Sequence, residues 1–267
     1  MSSFVLVKNK KIFFTDQGKG KVIVLLHGYL ESLKIWYDFA KELSKNYRVI
    51  SFDIPGHGES ELLSEKHSIE IIADTLNHVL KKLDIKTCFL IGHSMGGYVT
   101  LMFHKLFPEM LSGFSLFHSH PFADTPETIN KRLREIELVK DGKKDLIAKF
   151  NIPNAFASDN INKFKKEIET AITIALKTPQ KGIIANLHAM MNRPDLSESL
   201  KKTQIPFLYI LGKKDNYINF KPLISQIKMP VNSELRILLN SGHMGFIEEK
   251  TESINIINNF IQKQNIS

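Results

Sequence analysis

Ile91-Gly92-His93-Ser94-Met95-Gly96-Gly97-Tyr98 continues the apolar run that starts at Cys88 and leads into residues 99–106, which have helical character. The combination is a buried strand, a tight turn and a helix, with Gly-x-Ser-x-Gly at the turn. A serine at so sharp a bend has strained backbone angles, and the flanking glycines let strand and helix approach without Cβ clashes. The bend lifts the Ser94 hydroxyl out of the sheet and sets the following N–H groups at a helix N-terminus, where they stabilise developing negative charge. Gly-x-Ser-x-Gly alone also occurs in ordinary turns, so the context carries the reading.

Working outward, residues 22–26 (Val-Ile-Val-Leu-Leu), 47–52 and 88–91 are continuous apolar runs, the mark of strands buried on both faces. Helical patterns at 33–44 and 68–83 separate them. In the second, Ile71, Ile72, Leu76, Val79, Leu80 and Leu83 make one apolar stripe. Residues 4–7 and 11–15 read as a hairpin, and 113–117 as a further strand. Strands return at 206–211 and 234–239, followed by a last helix at 248–262. Between 118 and 203 the pattern is helical alone, at 126–139, 143–150, 162–176 and 180–191. This alternation predicts an α/β fold: a mostly parallel twisted sheet flanked by helices, with a core of residues 1–118 and 204–267 and an inserted helical cap at 119–203.

Composition excludes several classes. The 267 residues include one cysteine, Cys88, which rules out an intramolecular disulfide and a cysteine zinc site; inside an apolar strand it reads as inert packing. The apolar run at residues 4–7 is far shorter than a signal-peptide core, and no stretch approaches ~18 apolar residues, so a soluble cytoplasmic protein without a membrane partner is expected. The formal charge of +8 rests mainly on lysine, with Arg only at 48, 132, 134, 193 and 236. From Lys131 to Glu169 the charges alternate in sign, as on solvated helix faces, and nothing suggests a nucleic-acid partner.

At this point the chain resembles the α/β-hydrolase superfamily, in its capped, esterase-like branch, over nearly its whole length. His27-Gly28-Tyr29-Leu30 is similar to the family's oxyanion loop, which implies that the backbone N–H groups of Tyr29 and Met95 form the oxyanion hole. Asp53-Ile54-Pro55-Gly56-His57-Gly58-Glu59-Ser60 resembles a loop of the family in which the carboxylate fixes a turn. The family's order of serine, acid, histidine implies a catalytic triad of Ser94, Asp215 in Gly212-Lys213-Lys214-Asp215, and His243 in Ser241-Gly242-His243-Met244. Asp124 is the reserve acid, since some members place theirs after the earlier strand. Tyr29, His93, His118, His120, Phe122, Met190 and Met244 are the expected substrate-binding residues. Met95, Met102, Met191 and Trp36 are further candidates for an apolar pocket, although Trp36 and Met102 read better as core. His118-Ser119-His120 lacks a third ligand, so no metal is expected, and no organic cofactor is implied.

The family hosts many reactions. Dehalogenases and epoxide hydrolases have Asp where this chain has Ser94. Proline iminopeptidases have Gly and Trp where this chain has His93 and Met95. Carbon–carbon bond hydrolases commonly have a glycine-rich oxyanion loop, and the menaquinone-pathway lyase has Arg at the place of Tyr98. Hydrolysis of a small carboxylic ester through an acyl-enzyme remains the expected activity, in a monomer or homodimer. Thioesterase, lactonase and perhydrolase activities on the same triad stay open, as does a receptor acting through a protein partner.

Overall fold

The apolar runs form the middle of one eight-stranded sheet in a computed structural model that describes residues 2–264. Met1 and residues 265–267, at the outer ends of the expected core segments, lie outside the described residues. The strands are β1 (Ser2–Val7), β2 (Lys10–Gln17), β3 (Val22–Leu26), β4 (Arg48–Phe52), β5 (Cys88–His93), β6 (Leu111–Phe117), β7 (Phe207–Gly212) and β8 (Ser233–Leu238), in the order β1-β2-β4-β3-β5-β6-β7-β8. β2 runs antiparallel to β1 and β4, and every other pairing is parallel. All residues of β5 and β7 are buried, as their unbroken apolar sequences require of strands covered on both faces. β8 differs from the buried strand expected at 234–239: it is the outer strand, paired only with β7, and only Leu238 is fully buried.

From β3 the chain steps outward to β4, then returns to place β5 on the other side of β3. The loops after β3 and β5 therefore emerge side by side at the carboxyl edge, the position at which open α/β sheets form their crevices. The helix expected at 33–44 is divided into a 3₁₀ turn (Leu33–Trp36) and α1 (Tyr37–Leu43). α2 (Ile69–Lys82) begins where the Ser68 hydroxyl accepts the Ile71 N–H, and it buries Ile69, Ile72, Leu76, Val79 and Leu80. α3 (Met95–Leu106) is buried over its first ten residues. Trp36 is fully buried 4.2 Å from the Phe246 ring, and Met102 is buried too, so both belong to the core.

Five helices and no strand separate β6 from β7: α4 (Pro126–Lys140), α5 (Lys144–Asn154), α6 (Lys165–Lys177), α7 (Gln180–Met191) and α8 (Ser197–Lys201). α4 starts with Thr125 capping the Thr128 N–H and Pro126 in its first turn. α7 lies backbone to backbone on the loop after β4. A Cβ at Gly182 would collide with the Gly56 carbonyl oxygen, and Asn186 Nδ2 donates to the Pro55 carbonyl at 2.9 Å. The last helices are α9 (Phe220–Gln226), α10 (Gly245–Glu248) and α11 (Lys250–Lys263). Among the described residues no helix is long and apolar enough to cross a membrane.

Candidate active site

Ser94 has φ 49° and ψ −114°, a left-handed conformation that side chains other than glycine avoid. Two glycines permit it: a Cβ at Gly92 would strike the Gly96 carbonyl, and one at Gly96 would lie 2.5 Å from the Leu26 carbonyl oxygen of β3. The bend is held by the Ser94 N–H donating to Phe117 O at 3.1 Å and by Ser119 Oγ donating to Ser94 O at 2.7 Å. Ser94 is also the one residue between Cys88 and His104 that is not buried. An otherwise sealed strand and helix thus present a single hydroxyl at the crevice.

Asp215 and His243, from the loops after β7 and β8, meet with His243 Nδ1 donating to Asp215 Oδ2 at 2.8 Å. Asp215 Oδ1 accepts the N–H groups of Tyr217 and Ile218, which aims the other oxygen at the imidazole. Burial alone would raise the Asp215 pKa, but His243 and His118 more than offset it and hold the carboxyl far below its ordinary range. Burial works against a charged His243, yet the Asp215 carboxylate and its hydrogen bond outweigh that and raise the imidazole above its ordinary value. Nδ1 of His243 is thus the protonated nitrogen, leaving Nε2 able to accept.

His118 stands behind this pair. Its Nε2 accepts the Gly245 N–H at 3.2 Å, so its own proton sits on Nδ1, 3.4 Å from Asp215 Oδ2. That contact is longer and less direct than a good hydrogen bond. Burial lowers the His118 pKa to about 4 and keeps it neutral. His118, Asp215 and His243 have donor atoms within 4.8 Å of one another, a spacing that suits a metal ion, although each already has a protein partner.

The remaining expected residues are dispersed. Tyr29 is half-buried in the loop after β3, and its hydroxyl donates to Glu135 of α4 at 2.9 Å. Among the described residues, neither the Tyr29 nor the Met95 backbone N–H has a protein acceptor. Met95, Met190 and Met244 are buried. His120 and Phe122 form a separate cluster, in which the His120 ring faces the Tyr98 hydroxyl at 3.4 Å and accepts the Phe122 N–H.

His93, expected to line the substrate pocket, is instead buried behind Ser94. Its Nε2 donates to the His243 carbonyl at 2.9 Å and its Nδ1 meets Glu31 Oε2 at 3.1 Å. Glu31 also accepts the Gly28 N–H, so one carboxylate ties the loop after β3 to the serine turn and, through His93, to the His243 loop. Glu31→Ala leaves two buried partners unpaired and is expected to cost about 3 kcal/mol of stability, measured by urea denaturation. A loss under about 1 kcal/mol would show the tie to be dispensable.

Asp124 makes no hydrogen bond or ion pair with His243 among the described residues. Its buried carboxylate pairs with Arg132 at 2.6 Å and Arg193 at 2.5 Å, and the Arg193 guanidinium stacks 3.9 Å from the Tyr98 ring centroid. Asp53 fixes its turn by accepting the Leu33 and Glu59 N–H groups. Burial pushes the Cys88 thiol up to about 12, which makes it inert.

Glu31, Glu135 and Glu248 were not singled out in the sequence. Glu248 accepts the N–H groups of Gly242 and Met244 with one oxygen, and those of Ala157 and the Asn160 side chain with the other. It joins the His243 loop to the helical insertion, where the His243 N–H also donates to Ala155 O at 2.6 Å. Glu31 is an isolated acid within a largely apolar stretch, whereas Glu135 and Glu248 lie among other charges and carry no sequence signal of their own.

Comparison with known proteins agrees with this architecture. The family model described as alpha/beta hydrolase fold matches residues 21–151. AB hydrolase superfamily protein YisY of Bacillus subtilis is 27% identical, over 93% of this chain and 94% of its own. The (E)-2-((N-methylformamido)methylene)succinate hydrolase of Acinetobacter baylyi is 26% identical, over 90% and 89% of the two chains. The malate-bound structure of a thermophilic esterase from Thermogutta terrifontis superposes with a TM-score of 0.91 at 26% identity, covering 95% of this chain and 94% of that one. With its parallel sheet, its Gly-x-Ser-x-Gly turn after β5 and these relatives, the chain belongs to the α/β-hydrolase superfamily.

Proposed function

We propose that the protein is a serine hydrolase that cleaves a small carboxylic ester through an acyl-enzyme. The observation that carries this reading is the strained, partly exposed Ser94 together with the 2.8 Å Asp215–His243 pair, whose histidine loop is tied to the serine turn by His93 Nε2 donating to the His243 carbonyl. His243 takes the Ser94 proton on Nε2 as Oγ attacks the ester carbonyl, and Asp215 holds the imidazole in the tautomer this requires. The Tyr29 and Met95 N–H groups, which lack protein acceptors, stabilise the tetrahedral oxyanion. His243 then passes the proton to the departing alkoxide. Water, deprotonated by the same imidazole, attacks the acyl-enzyme, and the acid leaves with Ser94 restored.

The helical insertion acts as a cap. It reaches the oxyanion loop through Glu135 and Tyr29, and the acid loop through Asn151, whose carbonyl accepts the Tyr217 hydroxyl at 2.8 Å. The similarity to the Thermogutta terrifontis esterase supports ester hydrolysis as the reaction. The test is turnover of p-nitrophenyl acetate and butyrate together with labelling by a fluorophosphonate. Stoichiometric modification of Ser94 that abolishes turnover supports the proposal, and modification elsewhere refutes it.

Asp124 supplies a separate check. Asp124→Ala leaves Arg132 and Arg193 facing each other and is expected to destabilise the fold by about 3–5 kcal/mol, read from the urea midpoint. At a temperature where the variant is folded, kcat should stay within about tenfold of wild type. A loss near the ~10⁴-fold typical of a missing triad acid would move the acid role to Asp124.

A further inference from the structure

α4 and α5 form an open groove of about 610 Å³, a volume within the range of small-molecule sites. Its floor is apolar: Leu138 from α4, and Leu146 and Phe150 from α5. Leu146 and Phe150 lie one helical turn apart and are 65% and 70% exposed. Paired large apolar side chains beside a charged rim mark a surface that receives something.

The rim shows what charge it receives. Arg134 and Lys149 face the groove from its two helices, and among the described residues neither forms an ion pair. The neighbouring Lys131 and Lys143 are already matched by Glu127 and Asp141. The groove is also lined by Glu135 and Asn151, which hold Tyr29 and Tyr217. The Tyr217 ring stands edge-on to His243 with centroids 5.3 Å apart, so two residues that line the groove are bonded to side chains flanking the proposed reaction centre. Burial pushes the Glu135 pKa up, against the Tyr29 hydrogen bond and the Arg132 charge, which hold it down.

We propose that this groove binds the acyl chain of an amphiphilic ester whose far end is anionic. The chain lies on Leu138, Leu146 and Phe150, the anion sits between Arg134 and Lys149, and the ester carbonyl points toward Ser94. The proposal rests on the esterase reading for the identity of the bond, but not for the binding itself.

Binding is therefore measured by calorimetry on Ser94→Ala, with monomethyl sebacate as the long anionic ester, methyl decanoate as its uncharged partner and monomethyl succinate as the short anion. Monomethyl sebacate is expected to bind about tenfold more tightly than either. Adding Phe150→Ser, at an exposed position that leaves the fold intact, should weaken both long esters about tenfold and leave the succinate ester unchanged. Adding Arg134→Gln and Lys149→Gln should remove the advantage of the charged long ester over the uncharged one. Equal affinities for all three ligands, or affinities indifferent to both sets of substitutions, overturn the proposal. So does co-sedimentation with phosphatidylglycerol vesicles that needs Phe150 and Arg134 while monomethyl sebacate fails to bind, since the face would then dock on a lipid surface. Failure of the esterase reading is seen separately, as absence of p-nitrophenyl acetate turnover by the wild-type protein.

Discussion

Ser94→Ala is expected to lower kcat for p-nitrophenyl butyrate by about 10⁶-fold, because no other hydroxyl is presented at the bend and His243 is left without a nucleophile to activate. The residue of activity over water should survive through the Tyr29 and Met95 N–H groups, which the substitution leaves in place. KM for a slowly turned-over ester should change little, since Oγ makes its bond in the transition state. Stability should also be nearly unchanged, because alanine inherits the φ of 49° and the strain that goes with it. Ser94→Gly has the same chemical deficit without that strain and should be more stable than Ser94→Ala by about 1 kcal/mol. A kcat within a hundredfold of wild type in both variants would remove Ser94 from the mechanism.

Asp215→Asn is expected to lower kcat by about 10⁴-fold, with a change in pH profile that a loss of folding cannot imitate. In the proposed mechanism the working base is neutral His243, so activity is expected to fall as pH drops through the pKa of that imidazole. In the wild-type protein Asp215 overcomes burial and holds this pKa above its ordinary value, which places the acid limb at higher pH. Asparagine keeps the shape but removes the charge, and burial then dominates. The acid limb of kcat/KM should therefore move to lower pH while the plateau collapses. Asp215 itself, held far below its ordinary range, stays ionised throughout and adds no limb of its own. An unmoved limb would show that the titrating group is not His243.

What the sequence revealed and what it concealed have one physical dividing line. The strand runs, the serine turn and the loops bearing Asp215 and His243 are local patterns, and local patterns are readable because burial and backbone geometry select residue types over a few positions. The proximity of Asp215 to His243 follows from β7 and β8 being neighbours, which the connection between them makes natural. Glu31 and His93 are 62 positions apart, and Glu248 reaches residues up to 91 positions away, so their pairings depend on register and loop placement that no short window contains. His93 was misplaced for the same reason. A histidine beside a nucleophile reads as pocket lining until Trp36, Phe246 and Glu31 are seen to enclose it. The outer position of β8 was hidden because an edge strand that is also covered by a helix keeps much of its apolar sequence.

The attachment of the insertion restricts how molecules come and go. α7 rests on Gly56 without intervening side chains, residues 154–160 are bonded to the loops bearing Asp215 and His243, and Asp124 clasps Arg193 near the start of the return to β7. A wholesale lift of the insertion would break all of these contacts, including those made to the loops that bear Asp215 and His243. α4 and α5 reach the core through the Tyr29 and Tyr217 hydroxyls, and large side chains already stand in solvent where they meet, so a movement confined to them breaks fewer contacts. If the proposed ester hydrolysis holds, exit of a bulky acid is expected to follow local breathing of that helical hairpin, and its rate should respond to solvent viscosity while the chemical steps do not.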